Sequence, residues 1–226
     1  MSTIAAMTPD YWPVAKTHLA KKDRVLRKLI KAYPDAEIQS RGDAFQSLAR
    51  AIVGQQISVR GATTLAGRLA SLWGTAVDGG AGLVRLFPTP MQLMQADVER
   101  AGVMPARADT IRALARAVAS GGIVLDACAD VSATVAALLA LPGIGTWTAE
   151  YVAMRALGEP DAFPSGDLVL RRMAGDLNAR ALDRRSEAWR AWRSYAVMLL
   201  WEAATSCAAD QLSQLSFRAR RRPSGR

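Results

Sequence analysis

The chain has 226 residues, half of them hydrophobic, which is enough for one large or two small domains with a substantial core. It carries 29 Lys and Arg against 20 Asp and Glu, and this formal net charge of +9 favours polyanionic partners. Two distant cysteines, Cys128 and Cys207, exclude a disulfide framework and a four-cysteine metal or iron–sulfur site, and neither a signal peptide nor a membrane-spanning run is recognisable.

The N-terminal segment is basic and amphipathic. Apolar residues recur among lysines and arginines from Tyr11 to Ala32, which predicts one or two helices that end before Pro34. The only histidine, His18, lies in this segment, where a surface or half-buried side chain is the more common outcome than a catalyst.

Two glutamines interrupt the next helical pattern. A helix capped by Asp43 runs into the sequence from Gly54 to Ser58, and a second helix follows from about Val59 to Trp73. Gln55 and Gln56 lie in the interruption. They either satisfy local backbone groups or present amide donors and acceptors to a base pair, and residue type alone favours the first alternative.

The middle of the chain also has helical periodicity. After a Gly/Pro-rich connector from Gly79 to Pro90, another helix carries Arg107, Arg112 and Arg116, which either touch phosphates or form a solvated face, the commoner case. Further helices are predicted from Val131 to Leu139, from Leu168 to Leu177 and from Ala188 to Ala204. Because period-two alternation is nearly absent, the pattern predicts an all-α protein.

A glycine-containing turn joins two of these helices. Pro142, Gly143, Ile144 and Gly145 end one helix and Thr146 begins the next, so backbone amides without intrahelical partners are expected at the turn. Such amides, with the positive end of the helix dipole, form an anion site, and glycine permits close approach of a phosphate.

Two aromatic residues and a carboxylate follow the turn. Trp147 and Tyr151 are four residues apart, which places both rings on one helix face, and Asp167 follows a Pro-Ser-Gly turn. Each has an ordinary alternative: Asp167 is typical of a helix N-cap, and single aromatic residues are more often core. Glu150 is expected to serve the helix surface or a local ion pair.

These motifs together resemble the helix-hairpin-helix-GPD superfamily of DNA glycosylases, and within it most resemble the type II 3-methyladenine enzymes. The resemblance extends from about Phe45 to Trp201. It implies that Asp167 is catalytic, that Gln56 fills the gap left by an extruded nucleotide, and that no organic cofactor or catalytic metal is used. It also implies a base pocket and a DNA-binding surface, and a monovalent cation at the hairpin carbonyls. The pocket residues are Trp147, Tyr151, Trp201 and Leu168, and the DNA-binding residues are Gln55, Gln56, Gly143, Ile144, Gly145, Thr146 and Arg107.

Three departures from the family pattern bear on function. Leu168 stands where some members have an aromatic residue, which predicts a roomier or less discriminating pocket. Gln56 stands where some have an apolar wedge. Trp147 stands where members that also cut the backbone have a lysine, and an indole cannot form a Schiff base. The resemblance therefore implies a monofunctional glycosylase that flips out alkylated, cationic purines such as 3-methyladenine and leaves an abasic site.

The expected architecture is two helical subdomains flanking a DNA-binding cleft. Residues 1–42 are expected to pack with the C-terminal subdomain, 43–125 to carry the wedge loop, 126–215 to carry the hairpin and Asp167, and 216–226 to form a disordered basic tail. The partner is double-stranded DNA with damaged bases, and the protein is expected to be a cytoplasmic monomer, at the nucleoid if bacterial. Alternatives are the same fold acting on hypoxanthine, etheno-adducts, uracil or an oxidised purine, or a non-catalytic DNA-binding module.

Overall fold

The computed structural model describes residues 8–34, 43–80, 82–126 and 129–220, and side chains up to residue 206. Nearly all of its regular structure is helical, as the periodicity predicts. The α-helices are α1 (Trp12–Lys22), α2 (Arg24–Ala32), α3 (Ala44–Val53), α4 (Val59–Trp73), α5 (Pro90–Leu93), α6 (Pro105–Ala119), α7 (Val131–Leu139), α8 (Thr146–Arg155), α9 (Leu168–Met173), α10 (Ala179–Ser186) and α11 (Arg193–Arg220). Short 3₁₀ turns cover Pro9–Tyr11, Val98–Ala101 and Glu187–Trp189.

The chain divides into two compact units. Described residues 43–164 form the first, with α3 to α8, and residues 8–34 and 165–220 form the second, with α1, α2 and α9 to α11. The sequence predicts a boundary at residue 125 and groups the hairpin with the C-terminal helices. The structure instead includes the hairpin in the first unit, because α8 packs against α3 and α7 and because Ile144 and Val152 share its core.

Capped helix ends fix the glutamine loop of the first unit. The Asp43 carboxylate accepts a hydrogen bond from the Gln46 amide at 2.6 Å and begins α3, which buries Phe45, Leu48 and Ile52. The Ser58 hydroxyl caps α4 in the same way. At the other end of α3 the Gly54 amide donates to the Arg50 carbonyl at 2.9 Å. This bond and the Ser58 cap hold the short loop between α3 and α4 at both ends.

A small β-hairpin spans the start of the predicted connector, with its first strand before Gly79 and its second strand after it. Strands β1 (Ala76–Asp78) and β2 (Leu83–Arg85) are antiparallel, with Val77 opposite Val84. The strands have three residues each and are mostly exposed, so neither length nor alternating burial distinguished them in the sequence. The fold class is unchanged, because the remaining described elements are helical.

The second unit is built around a buried carboxylate. Asp23 is 7% exposed and accepts hydrogen bonds from the Val25 and Leu26 amides at the start of α2. It also accepts from the Arg185 guanidinium, at 2.7 Å to each oxygen, and from the Trp189 indole nitrogen at 3.1 Å. The N-terminal helices are thereby tied to the C-terminal ones within this unit.

Several predicted bounds differ from the structure. The helix predicted over Leu168–Leu177 ends at Met173, the helix predicted from Ala188 begins at Arg193, and α10 was not predicted. Residues 216–220 of the expected disordered tail belong to α11, and residues 221–226 lie outside the described part. None of the helices searched in that part combines the length and apolarity needed to span a bilayer.

We expect Asp23→Asn to lower the free energy of unfolding by about 2–4 kcal/mol at pH 7, because it leaves Arg185 without its carboxylate. Burial alone raises the pKa of Asp23, but the Arg185 hydrogen bond and charge and the Leu26 and Val25 amides bring it below its usual value. The stabilisation should therefore be complete above about pH 4 and lost as the pH falls further. Chemical denaturation at several pH values tests this expectation. The control is Asp183→Asn, which changes an exposed aspartate on α10. A difference in unfolding free energy between the wild type and Asp23→Asn that does not change with pH would contradict this expectation.

Candidate functional site

The turn between α7 and α8 presents backbone amides. Gly143 has φ of 84°, in the left-handed region, and the Ile144 amide bonds back to the Leu141 carbonyl at 3.2 Å. Gly145 is the N-cap of α8, and no described side chain caps the amides that follow it. These amides, at the positive end of the α8 dipole, can therefore bind an anion such as a phosphate.

Thr110 of α6 supports the turn between α7 and α8. Its hydroxyl oxygen lies 2.9 Å from the Pro142 carbonyl and 2.9 Å from the Ala106 carbonyl, and the residue is 3% exposed. A Cβ on Gly143 would lie 2.2 Å from this hydroxyl oxygen. The contact joins residues 32 positions apart, so no local sequence signal marks Thr110 as part of the site.

The two glutamines have different environments. The Gln55 side-chain amide donates to the Gly143 carbonyl at 3.2 Å and to the Thr148 hydroxyl at 3.4 Å. Gln55 thus supports the hairpin, through partners distant in sequence instead of the local backbone groups that were the expected alternative. Gln56 is exposed and has φ of 57°, an uncommon conformation for a residue with a side chain.

An aromatic pair follows the hairpin. The rings of Trp147 and Tyr151 are stacked, with centroids 5.4 Å apart and planes 21° apart, as their spacing on one face of α8 predicts. Both residues are half-buried. Tyr151 also lines a cavity of about 430 Å³ whose other walls come from α3, α4 and their loop, including Gln46, Ser47 and Arg50.

Asp167 is both the N-cap of α9 and a partner of Trp201. One carboxylate oxygen accepts from the Leu170 amide at 2.9 Å and from the Trp201 indole nitrogen at 3.4 Å. The capping interpretation of Asp167 is therefore correct. Trp201 is half-buried on α11, and Leu168 is 61% exposed.

Glu150 holds the segment before Asp167. Its carboxylate accepts a hydrogen bond from the Phe163 amide at 2.8 Å, thirteen residues further along the chain. The expectation of a surface role or an ion pair is thus replaced by a backbone contact. It fixes the end of the loop that leads into the Pro-Ser-Gly turn.

Ile144 and Arg112 each make contacts within the first unit. The Ile144 side chain is 6% exposed in the core of the first unit and its amide donates to the Leu141 carbonyl, so it stabilises the hairpin, and its contact with DNA stays a prediction. Arg112 pairs with Glu99 at 2.7 and 2.8 Å and with Asp109, so neither a phosphate contact nor a free solvated face describes it. The Arg112 hydrogen bonds and charge hold the pKa of Glu99 at about 2.

The remaining predicted contacts lie at the surface of the first unit. Thr146 is exposed at the first position of α8, and Arg107 is half-buried in the first turn of α6. No hydrogen bond or ion pair with another described residue engages the Arg107 guanidinium. It therefore has donors to offer a phosphate.

The hairpin carbonyls are engaged by protein donors. The carbonyl oxygens of Leu141, Pro142 and Gly143 accept from Ile144, Thr110 and Gln55 respectively. No cluster of three or more metal-binding His, Cys, Asp or Glu side chains occurs in the described residues. A monovalent cation at these carbonyls stays a prediction from the resemblance, and no step below uses one.

An uncapped glycine turn between two contacting helices, followed by a stacked aromatic pair, defines a helix-hairpin-helix protein. The family model for the HhH-GPD superfamily of base excision DNA repair proteins matches residues 49–193. DNA-3-methyladenine glycosylase 2 of Escherichia coli is 33% identical over 205 residues, which cover 84% of this chain and 72% of the relative. The chain therefore belongs to the HhH-GPD superfamily.

Other relatives agree in sequence and fold. The probable bifunctional transcriptional activator/DNA repair enzyme AlkA of Mycobacterium tuberculosis is 42% identical over 197 residues, or 85% of this chain; the match spans 40% of that relative. A solved structure of Schizosaccharomyces pombe 3-methyladenine DNA glycosylase Mag1 in complex with abasic DNA has a TM-score of 0.72. At 22% identity, with 85% of this chain and 97% of that one covered, it shows the shared fold.

Proposed function

We propose that this protein is a monofunctional DNA glycosylase that releases alkylated, cationic purines such as 3-methyladenine from double-stranded DNA. The observation that carries the proposal is the stacked pair of Trp147 and Tyr151, one turn beyond an uncapped glycine hairpin. The Escherichia coli relative, at 33% identity, is named a 3-methyladenine glycosylase, which supports the same substrate class for this chain.

The aromatic pair favours a positively charged base. An alkylated purine carries a cationic ring, and the electron-rich faces of Trp147 and Tyr151 attract it by stacking and cation–π contact. Each such contact contributes about 0.5–2 kcal/mol, and a neutral base gains less from the same surface. In the second unit, the Trp201 indole nitrogen lies 3.4 Å from the Asp167 carboxylate.

Extrusion of the base precedes the chemistry. The target atom is hidden in the base stack, so the nucleotide is rotated out at a cost of a few kcal/mol. The uncapped amides after Gly145 hold a backbone phosphate during this step. The exposed Gln56, in its left-handed conformation, fills the vacated space and can hydrogen-bond the unpaired base.

Asp167 then acts on the deoxyribose. As the C1′–N bond breaks, its electron pair leaves with the base and cancels the positive charge of the ring. Cationic character grows on the sugar, and the ionised Asp167 stabilises it. A water oxygen bonds to C1′ and its surplus proton passes to Asp167 or to solvent, which leaves an abasic site.

Trp147 predicts that backbone cleavage is absent. A lysine amine can attack C1′ and form a Schiff base, whereas an indole cannot. We expect borohydride to trap no covalent adduct between this protein and lesion-containing DNA, under conditions where a glycosylase with a catalytic lysine is trapped. The readout is a band of lowered mobility in denaturing electrophoresis. A trapped adduct that forms with the kinetics of base release would overturn the monofunctional assignment.

The competing substrates are neutral bases. Hypoxanthine, etheno-adducts and uracil are poorer leaving groups, and the described pocket residues offer no strong acid to protonate them. Single-turnover rates of base release, measured on duplexes that each carry one lesion, distinguish a cationic from a neutral substrate. A methylated purine released faster than hypoxanthine and uracil supports the proposal, and the opposite order assigns this site to a neutral base.

A further inference from the structure

The N-terminal helices carry a dense cluster of positive charge that the proposed reaction does not use. Residues 16–31 contain seven Lys and Arg but only one acidic residue, in a chain whose formal net charge is +9. That acidic residue, Asp23, is buried and paired with Arg185. The surface charge of this segment is therefore almost entirely positive.

Four of these cations form a stripe along α2. Arg24, Arg27, Lys28 and Lys31 occupy positions i, i+3, i+4 and i+7, which places them on one helix face. All four are exposed, whereas Leu26 on the opposite face is completely buried. The stripe is about 10 Å long, since α-helices rise about 1.5 Å per residue.

The described residues do not neutralise the stripe. Arg27 donates to the Ala20 carbonyl, and no hydrogen bond or ion pair with another described residue engages Arg24, Lys28 or Lys31. Lys21 and Lys22 extend the charge from the end of α1 and are likewise exposed. Like charges at i, i+3 and i+4 repel one another and destabilise a helix, so a bound polyanion would relieve a cost that the folded protein carries.

We propose that this basic stripe, defined by Arg24, Arg27, Lys28 and Lys31 with Lys21 and Lys22, is a second DNA-binding surface that contacts the phosphate backbone of undamaged duplex. Several cations along about 10 Å match the regular spacing of phosphates and have no need to read bases. Such a surface increases affinity for any duplex and supports sliding. It goes beyond the proposed base release, because it needs neither a lesion nor Asp167.

The test measures binding of an undamaged fluorescent duplex by Lys28→Gln/Lys31→Gln over a series of salt concentrations. Glutamine keeps a helix propensity close to that of lysine, so thermal unfolding should be unchanged. Each lost phosphate contact should make the negative slope of log K against log salt shallower by about 0.9. It should also weaken the affinity at 0.1 M salt by up to about tenfold. The variant Lys28→Arg/Lys31→Arg should keep both.

A matched control removes two charges elsewhere. Arg100 of the first unit and Arg180 of α10 are exposed, and Arg100→Gln/Arg180→Gln should keep most of the slope. The proposal would be overturned if the control variant lost as much slope and affinity as the stripe variant. It would also be overturned if the stripe variant kept the wild-type slope and affinity. Loss of binding to anionic phospholipid vesicles with DNA binding unchanged would overturn it as well. The single-turnover rate of base release at saturating protein should not change, which separates this proposal from the proposed function.

Discussion

Asp167→Asn is expected to reduce single-turnover base release by about a hundredfold or more while the protein stays folded. The physical reason is that the carboxylate both caps α9 and stabilises the sugar cation, and asparagine can perform only the first of these roles. An asparagine oxygen still accepts from the Leu170 amide and the Trp201 indole nitrogen, and asparagine caps helices about as well as aspartate. Asparagine lacks the negative charge that stabilises the sugar cation.

The measurement compares rates at saturating protein with duplex affinity and thermal unfolding. Asp167→Ala is a less informative variant, because it also removes the cap of α9 and is expected to cost about 1 kcal/mol of stability. We expect the asparagine variant to bind DNA like the wild type and to unfold within about 1 kcal/mol of it. A rate within threefold of the wild type would contradict the catalytic role of Asp167.

Gly143→Ala is expected to destabilise the first unit by about 2–4 kcal/mol and to abolish tight DNA binding. A left-handed residue with a side chain costs about 1–3 kcal/mol, and the new Cβ would lie 2.2 Å from the Thr110 hydroxyl oxygen. The turn must then shift, and with it the amides at the start of α8. Chemical denaturation and duplex binding measure the two effects.

Gly145→Ala is the matched control. Gly145 has φ of −97°, and no described atom lies within 4 Å of the position its Cβ would occupy. Alanine should therefore change the free energy of unfolding by less than about 1 kcal/mol. It should still weaken binding, because the added methyl occupies space through which a phosphate approaches the amides. Equal stability losses in the two variants would contradict the described turn.

Helical periodicity and capping residues predict most of this fold. The bounds of α4 and α7 follow from the sequence, and Asp43 caps α3 as its position indicates. The β-hairpin is not predicted because its strands are short and exposed. Helix α10 is not predicted because its arginines leave few apolar positions from which helical periodicity can be recognised. The boundary between units also depends on long-range packing of α8 against α3, which periodicity within one helix does not contain.

The candidate site is predictable where its parts are local. The stacking of Trp147 on Tyr151 follows from their four-residue spacing, and the N-cap role of Asp167 follows from the turn before it. The supports of the hairpin are not local. Gln55 reaches it from 88 residues away and Thr110 from 32, so only the folded chain reveals them.

The measurement that tests the central claim most directly is chromatographic identification of the bases released from methylated duplex DNA by the wild-type protein. We expect free 3-methyladenine in solution and an equal number of abasic sites in the DNA, with strands that stay intact until treated with alkali. Binding of the same DNA without release of any base would contradict it and would leave a non-catalytic helix-hairpin-helix module.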